Sequence, residues 1–145
     1  MTETEWAYTA GIIDGEGCLS ITFREYPSKW ELSVSVGGTD KRLLIWLSDR
    51  FGGAITPMKR TGNRQPAYLW RVPKRQLQSM LNGVMPYLVV KREQAEVLLV
   101  AATQNLAANE RRDCALVIRG LNRRGLVSQK ATEPMARSDG ETLPL

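Results

Sequence analysis

Between Glu3 and Val84 the hydrophobic period changes from 3.6 residues to two and back, twice, and that alternation leaves few folds open. Residues 3–15, ETEWAYTAGIIDG, read as a helix opened by acids suited to its N-terminal dipole, with Trp6, Ala10 and Ile13 on one face. After Gly17, Leu19, Ile21 and Phe23 alternate with Ser20, Thr22 and Arg24. Leu32, Val34 and Val36 then alternate with Glu31, Ser33, Ser35 and Gly37, so the link EYPSKW closes a hairpin with one apolar and one polar face. Asp40 to Phe51 returns to helical spacing through Leu43, Leu44, Leu47 and Phe51 and stops at Gly52-Gly53. A second hairpin, Ala54–Lys59 and Ala67–Val72 around the basic turn RTGNRQP, leads through Pro73 into a helix carrying Leu77, Met80, Leu81 and Val84. Pro86 interrupts the chain before helices over 91–106 and around Cys114, Val117, Ile118 and Leu121. The expected fold is α+β, an αββαββα unit with helices on one face of a four-stranded antiparallel sheet. A chain of 145 residues has room for one domain, expected over 1–127, with a polar, flexible tail over 128–145.

The first helix has a second peculiarity. Ala7, Gly11 and Gly15 fall at i, i+4 and i+8, a strip of minimal side chains, although each glycine costs a helix about 1 kcal/mol relative to alanine. Close approach of another backbone would compensate, as in helix pairs built on small residues.

Composition narrows the chemistry. The chain contains no histidine, which removes Ser-His-Asp and Cys-His catalysis, so hydrolysis would have to rest on carboxylates, lysines and a metal. Cys18 and Cys114 lie far apart without CxxC spacing and support neither a zinc site nor a disulfide framework. With no signal-peptide pattern and no apolar run of membrane-spanning length, an intracellular, reducing location is expected. The net charge of +5 is uneven: residues 1–23 carry four acids and no base, residues 24–92 carry 13 bases against 4 acids, and residues 93–145 balance at 7 against 7. Tyr26, Trp30, Tyr68, Trp70 and Tyr87 interleave with the basic middle, a composition suited to nucleic acid.

The segment AGIIDGEG at 10–17 resembles the motif of the LAGLIDADG homing endonucleases, with Thr9, Gly15 and Glu16 as departures from the family's letters. The element order and the stretch PYLVVKREQAE at 86–96 extend the resemblance over about residues 5–106. It implies that motif helices of two αββαββα units pack through small residues. One motif copy then means a homodimer with Ala7, Gly11 and Gly15 at its interface. It also implies that Glu16 is catalytic and holds a divalent cation, Mg²⁺ or another such as Mn²⁺. Lys91 matches the family's basic residue near the scissile phosphate, and a register error of one would put Arg92 there instead. Asp14 matches the first aspartate of the motif, expected to serve structure, and Asp40 is expected to cap a helix.

The partner implied is double-stranded DNA, met by the polar strand faces. Alternation puts Ser20, Thr22, Arg24, Glu31, Ser33 and Ser35 on that face, with Thr56, Met58 and Arg71 from the second hairpin. Lys29, Lys59, Arg60 and Arg64 lie at hairpin ends, where phosphates would pass, and Arg24 is the expected base reader. The function expected is cleavage of both strands at a long pseudo-palindromic site. The competing reading is a non-cleaving DNA- or RNA-binding module of the same fold, as in intron maturases and some transcription regulators.

Overall fold

The computed structural model describes the backbone of residues 1–132 and the side chains of residues 1–123. The first helix, α1 (Glu3–Glu16), begins at a reciprocal cap: the Glu5 amide donates to the Thr2 hydroxyl and the Glu5 carboxylate accepts from the Thr2 amide at 2.9 Å. It passes without a linker into strand β1 (Gly17–Arg24). Gly17 permits this through space rather than through an unusual backbone angle. Its φ is −78°, but a Cβ there would sit 2.6 Å from the Ile13 carbonyl oxygen.

Strand β2 (Lys29–Gly38) pairs antiparallel with the whole of β1, Gly17 opposite Val36 and Arg24 opposite Lys29. Helix α2 (Lys41–Phe51) is capped by Asp40, as expected, and strands β3 (Ile55–Met58) and β4 (Ala67–Arg71) form the second hairpin. The two hairpins join through β2 and β4, but only from Ser35 to Gly38, so the sheet order is β1-β2-β4-β3. Helix α3 (Lys74–Val84), a 3-10 turn at Met85–Tyr87, α4 (Arg92–Thr103) and α5 (Ala108–Thr132) complete the order read from the sequence.

The alternation holds in three dimensions. Leu19, Ile21, Val34, Val36 and Trp70 face the helices and are buried against Ala10, Ile13, Leu44, Leu47, Leu77, Met80, Leu81 and Leu98. Trp70 corrects one expectation: it is fully buried, its indole N–H donating to the Gly52 carbonyl at 2.8 Å, and is core rather than part of a charged surface. Burying a side chain of that size is worth more to the fold than to a ligand, since aromatics dominate core energetics. In the last helix Ile118 turns inward at 2% exposed, while its neighbour Val117 is 49% exposed.

Helix α5 contacts β1 and α4, and its backbone runs to Thr132, five residues beyond the expected domain end at 127. Polar sequence was read as tail there, yet Gln129, Lys130 and Ala131 are good helix formers. Positions 133–145 of the expected tail lie outside the described residues. No helix among the described residues is long and apolar enough to cross a membrane.

Candidate active site and nucleic-acid interface

Glu16 is the last residue of α1 and is exposed, and among the described residues its carboxylate has no ion-pair partner. Asp14 lies two residues back, and α1 has no basic residue in its last turn. Two carboxylates at the negative end of a helix dipole are unfavourable, by a few tenths to about 1 kcal/mol each at exposed positions. The chain offsets this with residues from far away in sequence.

Asp14 accepts three consecutive backbone N–H groups: Val89 at 2.8 Å, Val90 at 3.1 Å and Lys91 at 2.9 Å. In return the Lys91 ammonium donates to the carbonyls of Ile13 at 2.9 Å, Asp14 at 3.1 Å and Gly17 at 2.6 Å. The acid fastens the turn that leads into α4, and the base caps the end of α1. Presenting the three amides turns Val89 and Val90 outward, 84% and 65% exposed beside the end of α1, a cost in apolar exposure that the clasp offsets.

Lys91 therefore differs from its sequence expectation. An ammonium has three protons, and all three are committed to carbonyls here, so the group braces the helix end that carries Glu16. Burial pulls its pKa below the ordinary lysine value, while the nearby Asp14 and Glu16 carboxylates work in the opposite direction. Arg92, the neighbour in register, is exposed and lies 3.5 Å from Glu96 within its own helix. Asp14 is structural, as expected, its oxygens occupied by amides. Asp40 caps α2 through the Arg42 amide and pairs with the Arg42 guanidinium, which holds its pKa down at about 2.

The small strip is bare. Ala7, Gly11 and Gly15 are exposed, and a Cβ built at Gly11 or Gly15 would meet no atom within 4 Å. Tyr8, 51% exposed, borders the strip and packs edge-on against Trp46 of α2 at 4.8 Å. Among the described residues no close helix packing explains the glycines.

On the sheet face away from the helices, pairing arranges the expected DNA-facing residues in rows. Arg24 stands opposite Lys29, Thr22 opposite Glu31 and Ser20 opposite Ser33; Cys18, Ser35 and Arg71 then form a row three strands wide. Thr56 and Met58 lie on the same face of β3, and Lys59, Arg60 and Arg64 are exposed in the loop that follows. Arg24, the expected base reader, is paired with Glu31 at 3.0 Å, and Lys29 reaches the same carboxylate at 3.7 Å. Exposed pairs of this kind are worth less than about 1 kcal/mol, so Arg24 can exchange Glu31 for another acceptor. Cys18 was missed although the same alternation points to it, and it is the outward side chain nearest Glu16 along β1.

Among the described residues no three Cys, Asp or Glu side chains gather into a metal cluster. One free carboxylate per chain still fits Mg²⁺, which keeps several waters and binds through one or two carboxylates together with phosphate oxygens.

No protein-family model matches the chain, and no curated protein matches it in sequence. Solved structures do. The homing endonuclease I-CvuI, in complex with the I-CreI target and with DNA not cleaved in 2 mM Mg, superposes with a TM-score of 0.58 at 23% identity, covering 99% of this chain and 87% of that one. The archaeal intron-encoded homing endonuclease I-Vdi141I, complexed with DNA, gives 0.62 at 20% identity over 83% of this chain and 84% of the other. The LAGLIDADG meganuclease I-AabMI, bound to uncleaved DNA, gives 0.52 at 22% identity over 70% of this chain but only 36% of its own. The fold is that of the LAGLIDADG homing endonucleases.

Proposed function

We propose that this chain is one subunit of a homodimeric, metal-dependent endonuclease of the homing type, cutting both strands of a long pseudo-palindromic DNA site. The observation that carries the reading is the setting of Glu16: an unpaired carboxylate braced at a helix end, between a bare strip of small residues and the polar face of the sheet. Two copies joined along Ala7, Gly11 and Gly15 bring two Glu16 carboxylates together near the symmetry axis and align two polar faces on one duplex. The match to only 36% of the I-AabMI chain is consistent with one unit here where a longer chain has room for two.

Glu16 would hold Mg²⁺, or Mn²⁺ in its place. Such a cation lowers the pKa of a bound water and offsets charge on the leaving oxygen. The protein's own part is positional. Lys91 and Asp14 fix the end of α1, so the Glu16 carboxylate meets the phosphate without first ordering its backbone. Thr22, Ser35 and Arg71 set the register of the duplex, whereas the Ser33 hydroxyl is buried, and Lys59, Arg60 and Arg64 meet phosphates at the hairpin end. An intracellular location accords with such a substrate.

A second reading, the non-cleaving binder, draws on one observation: the Lys91 ammonium has no proton left to orient a water or meet a phosphate. One experiment tests both. A duplex selected for binding is cloned into a supercoiled plasmid and incubated with wild type and Glu16→Gln, in Mg²⁺ and in EDTA. Cleavage by wild type in Mg²⁺ alone, with binding but no cleavage by Glu16→Gln, is expected. Equal cutting by Glu16→Gln would refute the assignment of Glu16, and no cutting by wild type on a bound site would make the protein a binder.

A further inference from the structure

The outer edge of β1 is covered by α5, and the seam between them has a chemistry that the reading above leaves unused. The Asn122 amide donates to the Leu19 carbonyl at 3.2 Å and accepts from Gln94 at 3.4 Å, pinning the helix along the strand. Ile118 is buried beneath it. Above this anchor lies an open cavity of about 200 Å³, walled by Ser20 and Thr22 from the strand and by Arg119, Asn122 and Arg123 from the helix. Among the described residues no carboxylate lines it.

Arg119 and Arg123 stand four residues apart on one face of α5, both exposed, and among the described residues neither has an ion-pair partner. Like charges at that spacing repel, at a cost of a few tenths of a kcal/mol to an isolated helix. Two unpaired guanidiniums converging with two hydroxyls are a receptor for an oxyanion, since arginine forks match phosphate oxygens.

The sheet identifies the anion. At Ser20 and Thr22 it is only two strands wide, because β4 joins β2 no earlier than Ser35. A two-stranded ribbon fits a DNA major groove of about 12 Å. Whatever flanks the ribbon then stands at the groove wall, where the backbone runs. On the free side of β1 that flank is α5.

We propose that Arg119 and Arg123, with the hydroxyls of Ser20 and Thr22, form a backbone-phosphate site that clamps DNA at the outer edge of β1. The inference rests on the DNA reading above. It makes α5 part of the binding surface and ties phosphate capture to the strand that carries base contacts.

The test is the double variant Arg119→Ala/Arg123→Ala, measured for duplex affinity as a function of salt in EDTA, where cleavage plays no part. Each phosphate contact contributes about 0.9 to the slope of log affinity against log salt. The variant should lose about one to two units of slope per bound chain and bind specific and scrambled duplexes more weakly by the same factor, with base preferences unchanged. A neutral methylphosphonate at the contacted phosphate should weaken wild type and leave the variant unaffected. An unchanged slope, or relaxed preference at one base position, would overturn the phosphate assignment while leaving the DNA reading intact. A wild type with no salt-dependent duplex binding would overturn both.

Discussion

Replacing Gly11 by alanine should move stability and assembly in opposite directions. In the single chain Gly11 is an exposed interior position of α1 with nothing within 4 Å of an added Cβ. Alanine there gains helix propensity and narrows the unfolded ensemble, together about 1 kcal/mol. For a domain of this length that raises the melting temperature by roughly 3 to 4 °C. In a dimer packed along the strip, two methyl groups enter a backbone contact. Overpacking costs about 1 to 3 kcal/mol per site, hence at least about 2 kcal/mol per dimer, or a dissociation constant raised about 30-fold. Thermal unfolding at a concentration where the chain is monomeric reads the first quantity, and sedimentation equilibrium reads the second. Gly11→Leu should abolish association. A Gly11→Ala protein with a higher melting temperature and an unchanged dimer constant would refute the interface. A lower melting temperature in the monomer would show that the strip is packed within the chain.

Gly83→Ala should do the reverse of Gly11→Ala in the monomer. Its methyl would overlap the Trp6 indole, itself held against Phe51 at 5.7 Å, so the helix-propensity gain is outweighed and stability falls by about 1 to 2 kcal/mol, read by urea denaturation. Lys91→Met leaves three carbonyls at the end of α1 without their donor; it should lower stability by about 2 kcal/mol and raise the Mg²⁺ concentration needed for half-maximal cleavage. Reduced cleavage at saturating Mg²⁺ with an unshifted Mg²⁺ midpoint would instead make Lys91 a group acting directly on the phosphate. Asp14→Ala strips three amides of their acceptor and should cost about 2 to 3 kcal/mol, with amide exchange at Val89, Val90 and Lys91 accelerated more than in the core of α4.

What the sequence determined by itself is local. The alternation of Leu19, Ile21, Val34 and Val36, the helical spacing of Leu77, Met80, Leu81 and Val84, and the glycine stops are consequences of period and backbone preference, and each element formed where those signals put it. The motif helix, the exposed Glu16 and the bare strip were legible for the same reason, since they belong to one continuous segment. Tertiary structure decided whatever depends on distant segments meeting. Trp70 looked like a surface aromatic among charges until the Gly52 carbonyl and the helix layer enclosed it. The β2–β4 seam follows from packing two hairpins under one set of helices, a choice that no alternation pattern encodes. Arg119 and Arg123 acquire meaning only because α5 lies against an edge strand about 100 residues earlier. Lys91 and Asp14 are 77 residues apart, and nothing near either one signals that the acid holds the turn before α4 while the base caps the end of α1. Such pairings are set by the single arrangement that buries the core while leaving few backbone groups unsatisfied, a condition imposed on the whole chain at once.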